Sequence, residues 1–182
     1  MKHDAAVETA LEAYQSLLTA WAQRFDLISP GDVDRIRVRH IDDSLRALTA
    51  LSSLPPGPCI DVGSGAGLPG IPLAIASGRT WRLLEPRHKR AAFLEEVVRE
   101  LDLDCEVICA TAEQAAGDPL LNGAHAAATA RALAPPDAAI DLCQPLVASG
   151  GAVIVFIGRK GEIARRAEGS GPKVVTIRGD GN

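Results

Sequence analysis

A glycine-rich stretch holds the residues of this chain whose types and spacing point most clearly to chemistry. A short apolar run from Cys59 ends at Asp61 and Val62, and a loop follows it. The alternating glycines of the loop are Gly63, Gly65 and Gly67. Glycine adopts positive φ angles and allows a backbone to approach a ligand closely. We expect a helix to begin at Leu68, with Pro69 in its first turn, so that unpaired N–H groups face a nucleotide-like ligand.

Two cofactors fit this loop on spacing alone. Gly65, Gly67 and Gly70 satisfy the Gly-x-Gly-x-x-Gly pattern of dinucleotide-binding turns. An acid, Glu85, ends the next apolar run, as that pattern requires. The placement of Asp61 two residues before an alternating glycine triplet instead resembles the first motif of Rossmann-like methyltransferases. We favour S-adenosyl-L-methionine, with a dinucleotide or a purely structural turn as alternatives.

The elements around the loop predict an α/β fold with a doubly wound, mostly parallel sheet, because strands and helices alternate with short turns. Beyond the loop, the predicted strands are 81–84, 105–109, 124–129, 152–157 and 173–178. The predicted helices begin at Leu68 and after Arg87, and cover 137–147 and 162–167, while 110–113 is predicted to be a loop. The alanine-rich strand 124–129 is assigned by its position, against its helical propensity.

Two helices are predicted before the sheet. Apolar residues at spacings of three and four form one stripe between Val7 and Phe25. A second helix is expected from Asp32 to about Leu51, followed by a proline-rich linker. We therefore predict a single domain, 1–182, with an N-terminal helical extension, 1–54, and a Rossmann-like core, 59–182.

Composition supports this fold and narrows the class of protein. Of 182 residues, 47% are hydrophobic but only 3% aromatic, as in cores of aliphatic strands and helices. Because the net charge is −4, nucleic-acid binding would depend on local basic patches. No apolar run approaches the ~20 residues that span a bilayer, so we expect a cytoplasmic protein without a membrane segment. The four cysteines are predicted to be reduced core residues: Cys59, Cys105, Cys109 and Cys143. The four histidines are scattered and suggest no metal site: His3, His40, His88 and His125.

Polar residues at strand ends complete the predicted site. Glu85 stands where the fold places the acid that holds ribose hydroxyls, and a carboxylate accepts hydrogen bonds from two hydroxyls. Arg131 follows the fourth strand, at the sheet edge where ligands bind. Basic residues at 35–40 and 87–90 either form solvated faces or contact phosphate. Since basic residues at a helix start oppose its dipole, the second cluster favours an anion contact.

Together these residues resemble the bacterial 16S ribosomal RNA guanine-N7 methyltransferase family, also called glucose-inhibited division protein B. The resemblance runs from about Trp21 to Gly161. The motifs that carry it are Val38-Arg39-His40-Ile41-x-Asp43-Ser44, Asp61 through Leu73, Lys89-Arg90-x-x-Phe93-Leu94 and Ala130-Arg131-Ala132. The glycine motif extended through Gly70-Ile71-Pro72-Leu73 is the most specific of them.

The resemblance implies a class I methyltransferase that acts as a monomer on 16S ribosomal RNA or the small ribosomal subunit. It places Gly63, Leu68, Ala112, Glu113 and Arg131 at the S-adenosylmethionine site, beside Asp61, Gly65 and Gly67, and it assigns the cofactor ribose to Glu85. The sequence also departs from the family. Where the family usually has Asp-Ser and then Leu-Gly, this chain has Glu85-Pro86 and then Arg87-His88. The family's Leu-Lys-Gly after the fifth strand corresponds to the longer stretch 157–161, which still has Lys160 before a glycine. Only 173–178 is predicted as a strand where two are usual, so the C-terminal sheet edge is expected to lack one.

The expected chemistry needs little from the protein. Guanine N7 has a lone pair and no proton, so no general base is predicted, and the enzyme would align and desolvate an in-line transfer. The predicted contacts to RNA are Arg39, His40, Lys89, Arg90, Arg131 and Lys160. His40 and Asp43 could instead form an internal hydrogen bond that holds the second helix against the cofactor loop. The remaining alternatives are a small-molecule methyltransferase, a dinucleotide-dependent enzyme and an inactive binding protein of the same fold.

Overall fold

A six-stranded sheet forms the centre of the computed structural model, which describes residues 4–158 and 172–179. Its strands are β1 (Cys59–Val62), β2 (Trp81–Leu84), β3 (Cys105–Ile108), β4 (His125–Arg131), β5 (Val147–Ile157) and β6 (Lys173–Arg178). They lie in the order β3-β2-β1-β4-β5-β6, and every pair is parallel. The predicted doubly wound α/β fold is confirmed. The carboxyl ends of β1 and β4, at the point where strand order reverses, lie side by side.

Helices cover both faces of the sheet. They are α1 (Ala5–Ala22), α2 (Asp42–Leu45), α3 (Leu48–Ser52), α4 (Gly70–Ser77), α5 (His88–Glu100), α6 (Ala112–Gly117) and α7 (Pro136–Cys143). One face packs against α6 and α7, and the other against α1, α4 and α5. Because β4 is covered on both sides, its small residues are buried, including Ala127 and Ala128. Burial between two helix layers explains why this alanine run is a strand, as predicted, despite its helical propensity.

The predicted second helix, from Asp32 to about Leu51, is not one continuous α-helix in the structure. A 3₁₀ segment, Pro30–Arg35, leads into a π-helical segment, Ile36–Ile41, and then into α2 and α3. Ile36 and Ile41, five residues apart, are both fully buried, which suits the i→i+5 repeat of a π-helix. The N–H of Asp42 accordingly donates to the carbonyl of Arg37. The sequence pattern predicted a helix, but core packing decided its winding.

Several element boundaries also differ from the sequence predictions. Helix α4 begins at Gly70 instead of Leu68, because 65–69 are turns, and Pro69 is its N-cap. Residues 112–113, predicted to be in a loop, begin α6, where Thr111 and Gln114 form a capping box. Helix α7 ends at Cys143 and β5 begins at Val147, five residues before its predicted start. The predicted helix 162–167 lies outside the described residues.

The cysteines are only partly as predicted. Cys59 and Cys143 are buried and Cys105 is half-buried, but Cys109 is exposed just past the end of β3. Across 4–158 and 172–179, no three His, Cys, Asp or Glu side chains are grouped as a metal site would need. Within the same residues, no helix has the length and apolar character required to cross a membrane.

Candidate cofactor and nucleic-acid cleft

The glycine loop follows β1 and adopts a conformation that needs glycine. Gly63, Gly65 and Gly67 have φ angles of +72°, +57° and +85°, in the left-handed region. A Cβ at Gly63 would lie 2.6 Å from Leu133 Cδ1, and one at Gly67 would lie 2.6 Å from Ile71 Cγ1. At Gly65 the nearest atom would be an Arg90 nitrogen at 3.5 Å. Gly63 and Gly67 thus allow close packing, while a Cβ at Gly65 would make only ordinary van der Waals contacts.

Asp61 supports the loop from inside the protein. Its side chain is buried, accepting a 2.6 Å hydrogen bond from the Thr129 hydroxyl and a 3.2 Å bond from the Gly70 N–H. Burial raises its pKa to about 6, although the hydrogen bonds act in the opposite direction. A Cβ at Gly70 would lie 2.8 Å from Asp61 Oδ2, so only glycine lets α4 approach this acid. The predicted cofactor contact for Asp61 is therefore corrected to a supporting role, because its carboxylate faces β4 and α4.

Glu85 is held against the same loop. One carboxylate oxygen accepts a 2.8 Å hydrogen bond from the Gly65 N–H, and the other accepts a 2.9 Å bond from the Arg87 N–H. The side chain is 3% exposed. Each oxygen retains a second lone pair, so the geometry leaves acceptor capacity for hydroxyl groups. Its assignment to a ribose remains a prediction.

A cleft of about 1190 Å³ opens in front of the glycine loop. One wall consists of the loop and the carboxyl ends of β4 and β5, and the facing wall comes from residues between Leu27 and Arg46. The predicted site residues that line the cleft are Arg39, His40, Gly63, Gly65, Leu68, Arg90 and Arg131. The fold thus brings the predicted cofactor loop and most of the predicted RNA contacts to one place.

The other predicted site residues lie elsewhere. Asp61 and Glu85 are buried, and Gly67 belongs to the loop but does not line the cleft. Ala112 and Glu113 are in the first turn of α6, also outside the cleft lining. Lys89 also lies outside it, with its Nζ 5.8 Å from the centre of the Phe25 ring. Lys160 lies outside the described residues. For these residues the predicted ligand contacts stay predictions, apart from the corrected role of Asp61.

Arg131 is the last residue of β4 and a half-buried cation in the cleft. Burial lowers its pKa, and the nearby Tyr14 and Asp43 act in the opposite direction. Among the described residues, its guanidinium has no hydrogen bond or salt bridge. A desolvated guanidinium in a cleft is suited to bind a carboxylate or a phosphate.

His40 differs from the expected arrangement. Its Nε2 is buried without a hydrogen-bond partner among the described residues and lies 3.6 Å from Asp32 Oδ2. Asp43 binds Arg46 at 3.0 Å, and among the described residues neither His40 nor Asp43 has a side-chain hydrogen bond to the glycine loop. Burial and the charge of Arg131 lower the pKa of His40, which is therefore neutral at pH 7.

The remaining basic residues of the cleft are tied to the N-terminal wall. Arg39 binds Asp32 at 2.5 Å, and Arg90 donates a 3.1 Å hydrogen bond to the carbonyl of Asp26. Sequence reasoning did not find this wall, since nothing in the pattern of 27–32 predicts which surface it faces. It also missed Thr129, although a hydroxyl two residues before Arg131 on the same strand was a usable signal.

The sheet order, the glycine loop after β1 and the acid after β2 define a class I Rossmann-like methyltransferase fold. A mutant of MtNAS in complex with S-adenosylmethionine aligns with a TM-score of 0.54 at 19% identity, over 82% of this chain and 59% of that one. A protein of Methanococcus maripaludis described as an S-adenosyl-L-methionine-dependent methyltransferase aligns with a TM-score of 0.56 at 15% identity, over 87% and 66%. These similarities support the fold.

The chain belongs to the GidB family, rRNA small subunit methyltransferase G, which matches residues 7–172. The Ribosomal RNA small subunit methyltransferase G of Granulibacter bethesdensis is 42% identical over 154 residues, covering 84% of this chain and 68% of that protein. The proteins of the same name from Gluconobacter oxydans and Corynebacterium jeikeium are 36% and 41% identical, covering 75% and 69% of their own lengths.

Proposed function

We propose that this protein transfers a methyl group from S-adenosyl-L-methionine to N7 of a guanine in small-subunit 16S ribosomal RNA. Family membership supports the class of reaction. The observation that carries the proposal for this chain is the cleft in which the glycine loop and Arg131 face a wall containing Arg39 and His40. We further propose that the protein acts as a cytoplasmic monomer on the RNA or on the small subunit.

The residues present fit the proposed cofactor. Gly65 lines the cleft, and the half-buried Arg131, which has no hydrogen bond or salt bridge among the described residues, is suited to bind a carboxylate. Glu85 is fixed by two backbone donors and can accept further hydrogen bonds from hydroxyls. When bound, S-adenosylmethionine would supply the electrophilic methyl group. Gly63, Gly65, Leu68 and Arg131 would hold it, with Glu85, Ala112 and Glu113 proposed for its adenosine half.

The protein groups of the cleft match a nucleophile that needs no activation. Guanine N7 attacks with its own lone pair, so no residue has to remove a proton. The neutral His40 and the cationic Arg131 can orient the base and exclude water, which are the contributions such a transfer requires. Arg and Lys can also pair with guanine O6 or with phosphate. Arg39 and Arg90 line the cleft and are proposed to hold RNA, together with Lys89 and Lys160.

The test combines cofactor binding with methyl transfer. Calorimetric titration should show micromolar binding of S-adenosylmethionine and no binding of NAD. Incubation with tritium-labelled cofactor and small-subunit RNA should then yield labelled 7-methylguanine. Glu85→Gln should weaken cofactor binding because an amide cannot accept both backbone N–H groups. Glu106→Gln is the matched control, because this exposed glutamate pairs with Arg82 on neighbouring strands outside the cleft lining.

Each alternative has its own result. Binding of NAD alone would identify a dinucleotide enzyme and overturn the proposal. Cofactor binding without transfer to RNA, but with transfer to a small molecule, would indicate a different methyltransferase. Binding of cofactor or RNA without any turnover would indicate an inactive protein of this fold.

A further inference from the structure

Tyr14 links helix α1 to the glycine loop. Its side chain is fully buried, and its hydroxyl donates a 2.7 Å hydrogen bond to the carbonyl of Ala66, 52 residues further along the chain. Burial raises the pKa of Tyr14 above its usual value, so the hydroxyl remains a donor over the whole working pH range. Tyr14 does not line the cleft. Its effect on a bound ligand is therefore indirect, and its direct hydrogen bond is to the loop.

This hydrogen bond acts on the most adaptable part of the loop. Ala66 lies between Gly65 and Gly67, which both have positive φ. Because glycine restricts its φ and ψ angles only weakly, this part of the backbone has little conformational preference of its own. The carbonyl of Ala66 and the N–H of Gly67 belong to one peptide group. Tyr14 binds the carbonyl, and the N–H donates to the Ser64 carbonyl at 2.7 Å. Both polar ends of this peptide are therefore fixed.

Packing places α1 directly behind the loop. Leu11, Tyr14 and Leu18 belong to the same buried cluster as Ala66 and Leu68. A Cβ on Gly67 would lie 3.3 Å from the Tyr14 hydroxyl, so the helix and the loop are in close contact. Two side chains outside the cleft lining thus hold the loop, Glu85 at the N–H of Gly65 and Tyr14 at the carbonyl of Ala66.

We infer that Tyr14 is a positioning residue for the cofactor, which fixes the Ala66–Gly67 peptide so that the glycine loop is already in its binding conformation. The N-terminal helix is then part of the cofactor site without touching the cofactor. This inference rests on the proposed function, because it takes S-adenosylmethionine to be the ligand of the loop.

The test compares two conservative variants of α1. Tyr14→Phe removes the hydroxyl and keeps the ring. Trp21→Phe is the matched control, because it removes another hydrogen bond from α1, the 2.9 Å bond from Trp21 Nε1 to Glu96 on α5, away from the loop. We expect Tyr14→Phe to raise the cofactor Kd and KM about tenfold, the effect of losing one buried hydrogen bond, while kcat at saturation changes less than about twofold. Trp21→Phe should lose about as much thermal stability as Tyr14→Phe, but its cofactor Kd and KM should stay within about twofold of the wild-type values.

A second measurement uses the wild-type side chain. Tyr14 is the only tyrosine of the chain, so incorporation of 3-fluorotyrosine places one fluorine beside the Ala66 hydrogen bond. Its NMR resonance should shift as S-adenosylmethionine is added, with a midpoint at the calorimetric Kd. An unchanged resonance at saturation, or equal Kd values for Tyr14→Phe and the wild type, would overturn the inference alone. A wild-type protein that binds no S-adenosylmethionine would overturn the proposed function and the inference with it.

Discussion

Asp61 lies near the end of β1 and Glu85 directly follows the neighbouring parallel strand β2. Both are buried acids, yet their surroundings give them different roles. Asp61 faces Thr129 and the start of α4, whereas Glu85 accepts from the N–H groups of Gly65 and Arg87. These two backbone N–H groups hold the carboxylate of Glu85 in place, and among the described residues it forms no salt bridge. Asp61 instead remains in the interior, where burial disfavours its charged form.

The pKa of Asp61 predicts a pH-dependent contribution to stability. Its pKa in the folded protein is about 6, against an ordinary value of 3.8, so the folded state binds the proton more tightly. The stabilisation is therefore complete below pH 3.8 and is lost as the pH rises to about 6. Relative to Asp61→Asn, which cannot titrate, the wild-type free energy of unfolding should fall by roughly 2 kcal/mol between pH 4 and pH 7. Urea denaturation of both proteins across this range measures the difference.

A constant difference between Asp61→Asn and the wild type would contradict this assignment. The amide changes one hydrogen bond, since it cannot accept from both Thr129 and Gly70, but that effect is the same at every pH. Only the pH-dependent part of the difference in free energy of unfolding comes from the titration of the buried carboxylate.

Two arginines on neighbouring turns test the RNA-binding side of the cleft. Arg39 lines it, whereas Arg35 is exposed outside its lining. Arg39→Ala should weaken binding to small-subunit RNA and reduce the slope of log affinity against log salt by about one, because one phosphate contact is lost. Arg35→Ala changes the net charge equally and should leave the slope unchanged. Filter binding at several salt concentrations measures both, and equal effects of the two variants would indicate a non-specific charge effect.

At the scale of elements, the π-helical segment Ile36–Ile41 determines what the N-terminal wall presents to the cleft. Burial of Ile36 and Ile41 fixes its inner face, and Val38, Arg39 and His40 then line the cleft. In a regular α-helix, residues five apart would not share a face so closely. The winding of this segment therefore decides that Arg39 and His40 face the same space as Arg131.

Gly65 in the glycine loop can be compared with Gly78, outside the loop, because both have the same backbone conformation. Gly65 lies in the cleft with a φ of +57°, and Gly78 ends α4 with a φ of +62° and no neighbour within 4 Å of a Cβ. Alanine at either site should reduce the free energy of unfolding by about 1–2 kcal/mol, the penalty of left-handed geometry. Only Gly65→Ala should also raise the cofactor Kd, by about tenfold or more, because its methyl group enters the ligand space.

Thermal denaturation and calorimetry of both variants separate the two effects. The backbone penalty appears in each melting temperature, and the steric effect appears only in the Kd of Gly65→Ala. Equal Kd values for the two variants would show that the ligand does not approach Gly65.

At the scale of the whole molecule, the cleft is assembled from segments far apart in the sequence. The loop after β1, the end of β4 and the N-terminal wall meet around it, and Arg46 extends the wall to β6 by donating to the carbonyl of Arg178 at 2.5 Å. The net charge of −4 does not prevent anion binding here, because Arg39, Arg90 and Arg131 converge on one concave surface.

Ligand binding to a site built from so many segments should stabilise the whole chain. S-adenosylmethionine at about 100 times its Kd should add about 2.7 kcal/mol to the free energy of unfolding. For a chain of this size, that corresponds to a rise in melting temperature of roughly 5–10 °C. NAD at the same concentration should produce no shift. Differential scanning calorimetry measures both, and an equal rise with NAD would contradict the choice of cofactor.

The sequence by itself determined the fold class, the strands of the sheet and the position of the glycine loop. These features depend on local signals: apolar runs of strand length, an acid near the end of β1 and glycines at positions that need positive φ. These signals placed Gly63, Gly65 and Arg131, which all line the cleft, and their contacts to a ligand stay predictions. Even the alanine-rich β4 could be assigned, because the order of the other elements required a strand there.

Tertiary structure alone decided which acid faces inward and which surface forms the second wall of the cleft. Asp61 matches a motif whose spacing suggests a ligand contact, but its side chain lies between β1, β4 and α4. The π-helical winding, the Asp32–Arg39 pair and the Tyr14–Ala66 hydrogen bond likewise join residues whose sequence neighbours carry no sign of the contact. Local patterns report backbone preference and burial, whereas side-chain partners depend on which distant segments pack together.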